Sequence, residues 1–381
     1  MVIEGSTRFP EPALVLAIAT LPEVGPARLL ALTEDRSPAA AWTEVVDGRA
    51  HHGPAAALMG SDPRALAVAW ARAAARLDPM AIWQRHLDAG FGVAARGFAD
   101  YPDVLREDPH GPAVLVWDGD LSALDGPRVA VVGTRDCTHA GRDFASQLGR
   151  ELSEVGVRIV SGLALGIDGA AHAGALAAQG APPIAVVGSG LDIIYPRRHA
   201  QLWRKVASGG AVLSEHPLGT DPVGWHFLAR NRIIATLADV VVVVESHEQG
   251  GALQTATEAA DRGRAVMAVP GSVKSPASRG TNALLGDALV CCDTTDVLTL
   301  LGLVTARTRR VDPRTPPSEG DAQVLAGIGW EPCSTEALMM RTGRSLGELA
   351  LVLDRLENSG WVVRRGGWTE RVGDPSDECR S

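Results

Sequence analysis

The sequence predicts an α/β protein: a doubly wound parallel sheet, preceded by a helical domain and followed by a small domain of helices and a hairpin. Three observations carry this. Between residues 128 and 269, short runs that are apolar throughout recur with helical stretches between them, the pattern of parallel strands buried on both faces. Before that region the sequence is Ala- and Leu-rich and reads helical. After it, an Arg-, Thr- and Pro-rich stretch without periodicity separates a compact tail. A length of 381 residues allows two or three domains at roughly 150 residues each.

Taken in order, the first domain spans residues 1–95. Its helical signals are Ala13–Ile18, the stretch Leu21–Leu30 and the Ala-rich run Ala65–Arg76. Val24-Gly25-Pro26 has the look of a helix-hairpin-helix turn, but a plain helical bundle is the favoured reading. The central domain spans 96–303. Strands are predicted at Arg128–Val132, Val157–Val160, Ile184–Val187, Ala211–Leu213, Val240–Val244 and Ala265–Val269, with helices near 141–155, 168–179 and 252–262. Residues 304–318 form a linker. The last domain, 319–372, has helical patterns near Asp321–Gly327, Ser334–Arg341 and Ser345–Asn358, with Ser334 and Ser345 as N-caps and Glu348 completing a capping box. A hairpin turning at Gly366-Gly367 follows. Three helices and a basic hairpin resemble a winged helix. Residues 373–381 are polar and read as a disordered tail.

Composition narrows the function. Apolar residues are 46% and charged residues 21%, which excludes a wholly disordered chain. The apolar runs are far shorter than the roughly 20 residues a bilayer span needs, and the N-terminus lacks a basic n-region and a cleavage site, so a cytoplasmic protein with no membrane span is expected. Five cysteines without a CxxC pair argue against a disulfide framework and against structural zinc. Net charge is −9, but residues 1–127 alone carry 10 basic and 17 acidic side chains. The central domain is close to neutral, so the placement of its arginines decides what it can bind.

In a doubly wound sheet, ligands bind beyond the carboxyl ends of the strands. Five loops there stand out. They are Gly133-Thr134-Arg135; Ser161-Gly162 through Gly166 and Asp168; Gly188-Ser189-Gly190 leading to Tyr195-Pro196-Arg197-Arg198; Arg230-Asn231-Arg232; and Gly250-Gly251 with Thr255. Glycines between strand and helix, helix N-termini and guanidinium groups together make an anion-binding rim. Neither G-x-G-x-x-G after the first strand nor G-x-x-x-x-G-K-[ST] is present, which argues against a dinucleotide oxidoreductase and a P-loop NTPase. No nucleophile–base pair is evident, and His139, His172 and His199 are isolated. No catalytic residue, metal or cofactor is therefore expected.

The motifs Val129–Arg135, Ser161–Asp168 with Ala171-His172, Gly190-Leu191-Asp192 with Tyr195-Pro196, Ser214-Glu215, Arg230–Ile234, and Ala268–Gly271 with Gly280-Thr281-Asn282 occur in this order. Together they resemble the DNA-processing protein A family (DprA, also called Smf) over residues 95–300. The resemblance implies a helical SAM-like domain, a Rossmann-like domain and a winged helix. It implies a non-catalytic single-stranded-DNA-binding protein that protects incoming strands during natural transformation. It also implies help in loading the RecA recombinase, and a homodimer formed through the Rossmann-like domain. By motif position, Arg135 and Arg197 would contact phosphate and the Ser161–Asp168 loop would supply amides. Arg230 and Arg232 would line or brace the groove, and Gly250-Gly251 would let the strand approach. Three positions depart from the family: Leu165 replaces an Arg, Gly250-Gly251-Ala252-Leu253 replaces Ser-Gly-Ser-Leu, and Leu228 replaces a Pro. With only 4% aromatic residues, stacking should be sparse. Tyr195, Trp225 and Phe227 are its candidates, and core packing is the favoured role for Phe227.

Two other readings deserve a test. Gly250–Glu258 is a stretched relative of the P-G-G-x-G-T-x-x-E loop of nucleoside-monophosphate phosphoribohydrolases of the lysine-decarboxylase-like group, with Glu258 as acid/base. The winged helix could instead be a duplex-DNA regulator, although its candidate recognition helix, with Arg344, Glu348, Asp354, Arg355 and Glu357, is nearly neutral.

Overall fold

A computed structural model describes residues 9–303, 314–329 and 331–372. Most of the expected linker (304–313) and the whole tail (373–381) lie outside the described residues.

Five helices open the chain: α1 (Glu11–Ala19), α2 (Gly25–Thr33), α3 (Pro38–Val46), α4 (Pro63–Ala74) and α5 (Pro79–Asp88). The last three begin with Pro behind Ser37, Asp62 and Asp78, whose side chains accept from the first-turn amides. α1 is apolar all round, so it lies inside: Ala13 through Ile18 are all buried. Leu16, Ile18 and Trp70 belong to the same apolar cluster as Val114, Val116 and Val187 of the sheet. The helical unit and the sheet therefore share a core.

The central elements follow as β1 (Gly92–Ala95), α6 (Asp103–Arg106), β2 (Val114–Gly119), β3 (Arg128–Val132), α7 (His139–Glu154), β4 (Arg158–Ser161), α8 (Ile167–Ala178), β5 (Ile184–Val187), α9 (Ala200–Gly209) and β6 (Ala211–Ser214). Then come α10 (Gly224–Leu237), β7 (Val240–Val243), α11 (Gly251–Asp261), β8 (Ala265–Ala268), α12 (Arg279–Leu284), β9 (Leu289–Val290) and α13 (Thr294–Leu300). The sheet order is β1-β2-β6-β5-β4-β3-β7-β8-β9. From β6 to β9 every pairing is parallel, while β1 and β2 form an antiparallel margin. The six strands read from the apolar runs are present within a residue or two. β1, β2 and β9 extend the sheet beyond them, and β1 joins it four residues before the boundary read at residue 96. The strand order reverses between β3 and β7, which is the switch point of a doubly wound sheet.

The C-terminal unit comprises α14 (Glu319–Ile328), β10 (Cys333–Ser334), α15 (Thr335–Thr342), α16 (Leu346–Asn358), β11 (Val362–Arg365) and β12 (Trp368–Arg371). Ser334 and Ser345 cap α15 and α16, and Glu348 closes the expected capping box. Three helices and the hairpin make a winged helix with its own core of Val324, Leu338, Leu349, Leu356 and Trp361. Ser272, in the loop after β8, donates to Glu331 at 3.1 Å. Among the described residues no helix is long and apolar enough to cross a membrane, and Cys137, Cys291, Cys292 and Cys333 are in no disulfide.

Candidate nucleic-acid interface

Because β3 to β8 run parallel, the loops that follow them open on one edge of the sheet. Hydrogen bonds stitch these loops together. Thr134 N donates to the Glu245 carbonyl at 2.8 Å, and Ile167 N donates to the Thr134 carbonyl at 3.3 Å. His199 Nδ1 lies 2.9 Å from the Leu163 carbonyl, which ties the Arg197–His199 turn to the glycine loop after β4. Gly190 N donates to Thr220 O at 2.9 Å. The expected convergence of Arg135, Arg197 and the 161–168 loop on one rim is present.

What faces solvent on that rim is narrower than the motifs suggest. Arg135, Arg197 and Arg198 are exposed, and none of the three has an ion pair among the described residues. The Arg135 guanidinium lies 5.4 Å from the centroid of the Phe227 ring, and the Phe227 and Tyr195 rings stand 5.3 Å apart. Tyr195 is 40% exposed. Phe227 is half-buried, so it reaches the rim rather than serving the core alone. A cation, a half-open pair of aromatic rings and two further cations thus adjoin one another. Such a surface can hold phosphates and stack bases. Gly133 and Thr134 lie half-buried beside Arg135, and Gly250 and Gly251 lie at the start of α11, with Gly251 exposed.

Several expected contact residues are turned inward. Ser161 is buried and its hydroxyl donates to the Val131 carbonyl at 2.7 Å. Asp168 is buried beneath the glycine loop and accepts from Gly162 N at 3.1 Å. That carboxylate fills the cradle the loop amides would offer an outside anion, so the expected phosphate-binding role of Gly162 and Asp168 is corrected. Burial raises the Asp168 pKa, opposed by the charge of Arg230 and by amide donors. Arg230 is 4% exposed. It donates to the carbonyls of Gly162, at 3.0 Å, and Val186. Burial lowers its pKa to about 10. Gly162 is required here because a Cβ would fall 2.3 Å from Arg230 Nη1. Asn231 donates to the Gly251 carbonyl at 3.2 Å, and Arg232 grips Glu215 bidentately at 2.7 and 2.6 Å. Arg230 and Arg232 therefore brace the edge rather than line it. Gly166, Gly188, Gly190 and Thr255 are also buried and position the loops from within.

The switch point holds a residue that the sequence reading passed over. Glu245, two residues after β7, reaches the N-terminus of α7 and accepts from Thr138 N at 2.8 Å and Thr138 Oγ1 at 2.6 Å. Gly141 makes room for it, since a Cβ there would lie 2.3 Å from the carboxyl carbon. Burial raises its pKa, and the Thr138 hydrogen bonds oppose the rise. In nucleotide-binding relatives of this topology the helix start beside the switch point holds a phosphate. Here the chain's own carboxylate stands there. The signal for it was an acid placed directly after an all-valine run.

The rival sites look different. Glu258 lies inside α11, paired with Arg262 at 2.6 Å, where an acid/base would need a free carboxyl. On α16 Arg355 is bound to Asp321 at 2.6 Å. On β11 Arg364 is bound to Glu357 at 2.5 Å. Leu346 and Leu351 are exposed on α16, so the recognition face is not cationic.

Residues 93–302 match the family described as DNA recombination-mediator protein A, and residues 309–367 match the DprA winged helix domain. The chain is 36% identical to Protein Smf of Escherichia coli over 71% of this chain and 75% of that one. It is 43% identical to the DNA processing protein DprA of Bacillus subtilis over 49% of this chain and 62% of that one. The X-ray structure of DprA from Streptococcus pneumoniae superimposes with a TM-score of 0.64 at 31% identity, covering 77% of this chain and 98% of that one. A structure of DNA processing protein A from Helicobacter pylori, described for its single-stranded DNA binding mode, gives 0.50 at 30% identity over 55% and 95%.

Proposed function

This chain belongs to the DNA recombination-mediator protein A family, and on that premise we propose that it binds single-stranded DNA along the carboxyl edge of its sheet and breaks no bond in it. The observation that carries the reading is the juxtaposition of Arg135, Arg197 and Arg198, exposed and without an ion pair among the described residues, with the Phe227–Tyr195 ring pair. Guanidinium groups hold successive phosphates while the rings accept bases. Gly133, Thr134, Gly250 and Gly251 flank the path and let the backbone come close. Sequence preference is slight, because phosphate contacts carry no base information. The strand is protected in this groove and delivered to a recombinase of the RecA type, which is the act a recombination mediator is named for.

The protein works as a homodimer through the Rossmann-like domain. Support for this is the outer edge of β9, which no strand among the described residues pairs and where Leu289 and Val290 are each about half exposed, an edge of the kind that pairs with another copy. The test is an anisotropy titration of single-stranded against duplex DNA at two salt concentrations. The expected result is preference for the single strand, with a log–log salt slope of about −0.7 per phosphate neutralised. Equal affinity for duplex, or turnover of nucleoside monophosphates, overturns the reading.

A further inference from the structure

Beside the rim, between the helical unit and the sheet, lies a cleft of about 310 Å³ lined by Leu21, Val24, Gly25, His216, Leu218 and Trp225 among others. Its volume is at the lower end for small-ligand sites. We infer that it takes one nucleobase of the bound strand, stacked on Trp225. This rests on the single-strand reading above and extends it to the N-terminal helical unit.

Trp225 is 52% exposed. It stands two residues before Phe227 on the first turn of α10, so one short segment carries both rings. The two rings leave that turn on different sides, Phe227 toward Tyr195 and Trp225 toward Gly25, so a strand reaches Trp225 from the ring pair by crossing the head of α10. The indole does not float. It meets His226 edge-on at 4.1 Å, and His226 in turn lies 4.1 Å from His216. A side-chain carbon placed on Gly25 would come within 3.7 Å of Trp225 Cη2, so the turn between α1 and α2 abuts the edge of the indole and closes that end of the cleft.

The chemistry selects a base over a phosphate. The cleft offers no free cation among the described residues. Arg28 donates to the carbonyls of Leu58 and Glu23, and Arg232 is committed to Glu215. Glu23 is exposed on the lining and repels an anion. An uncharged planar ring meets apolar walls instead. His216, 6% exposed, lines the cleft and keeps a buried Nε2 with no hydrogen-bond partner among the described residues, a polar group for a base edge.

The experiment compares Trp225→Leu, which keeps apolar bulk against the Gly25 turn, with the unaltered protein. The probes are an oligo-dT strand and an abasic strand of equal length. Trp225→Leu should weaken oligo-dT binding about tenfold, within the range for one stacked base, and leave abasic binding unchanged. Equal losses on both strands, or no loss on either, overturn the base pocket while leaving single-strand binding intact. If the unaltered protein binds neither strand, the function proposed above falls and the pocket with it. A melting temperature equal to that of the unaltered protein shows that Trp225→Leu folds. Should it melt lower, Trp225→Phe must restore the dT preference, and its failure to do so counts against the pocket.

Discussion

Replacing arginines singly should split them into two groups, and the structure sets the size of each effect. Arg135 is exposed and has no ion pair among the described residues, so Arg135→Ala strands no buried partner and should leave the melting temperature nearly unchanged, as surface substitutions do. It removes one charge-assisted contact to phosphate, worth about 1.5–3 kcal/mol, or roughly 10- to 150-fold in Kd. The salt slope should shrink by about 0.7. Arg197→Ala should behave likewise. Arg232→Ala is the opposite case. Its two bonds to Glu215 join side chains that are 14% and 4% exposed, so its removal leaves a buried carboxylate alone, at a cost of about 3–5 kcal/mol of stability. Any loss of DNA binding should follow the loss of folded protein, with an unaltered salt slope in the fraction that remains folded. Thermal melts and anisotropy at several salt concentrations separate the groups. A flattened slope with normal melting in Arg232→Ala, or unchanged affinity in both Arg135→Ala and Arg197→Ala, would refute the assignment of these residues to opposite sides of the edge.

Three further outcomes are expected. Asp168→Asn should lower the melting temperature, because it removes the negative charge that offsets the buried Arg230; a normal melt would show that the brace is dispensable. Burial holds the His172 pKa down to about 3 and His216 down to about 4, against 6.5 for an ordinary His. The unfolded chain then binds more protons, so stability is full above about pH 6.5 and falls as pH drops, by about 1.4 kcal/mol per pH unit for each His. His172→Leu should flatten acid unfolding by one proton, and curves of identical slope would count against this. Removing residues 305–381 takes away the winged helix, which has its own core, and should leave single-strand binding in place; complete loss would move the DNA site to α16 and the hairpin.

The strands β3 to β8 were readable because burial on both faces writes itself as unbroken Val, Ile and Ala. The margin was not. β9 is two residues long with both side chains half exposed, so it carries no apolar signature, and β1 and β2 pair antiparallel outside the repeating pattern. The rim was legible as a set of loops, since topology alone sends every parallel carboxyl end to one edge. Which polar groups face outward was not legible. Arg230 is satisfied by carbonyls 44 and 68 residues away, and Arg232 by a carboxylate 17 residues away. Only the packing of α10 reveals these partners. One hint was present: the residues after Arg232 read Ile-Ile-Ala-Thr-Leu, the second half of α10 and too apolar to have a wet face, so charges just before that run are as apt to be interior as exposed.

Glu245 at the head of α7 has a consequence for what the switch point can admit. A triphosphate could enter the switch point only by displacing that side chain from Thr138. On the single-strand proposal, release of the strand would then depend on competition and concentration, with no nucleotide cleavage at that point to time it.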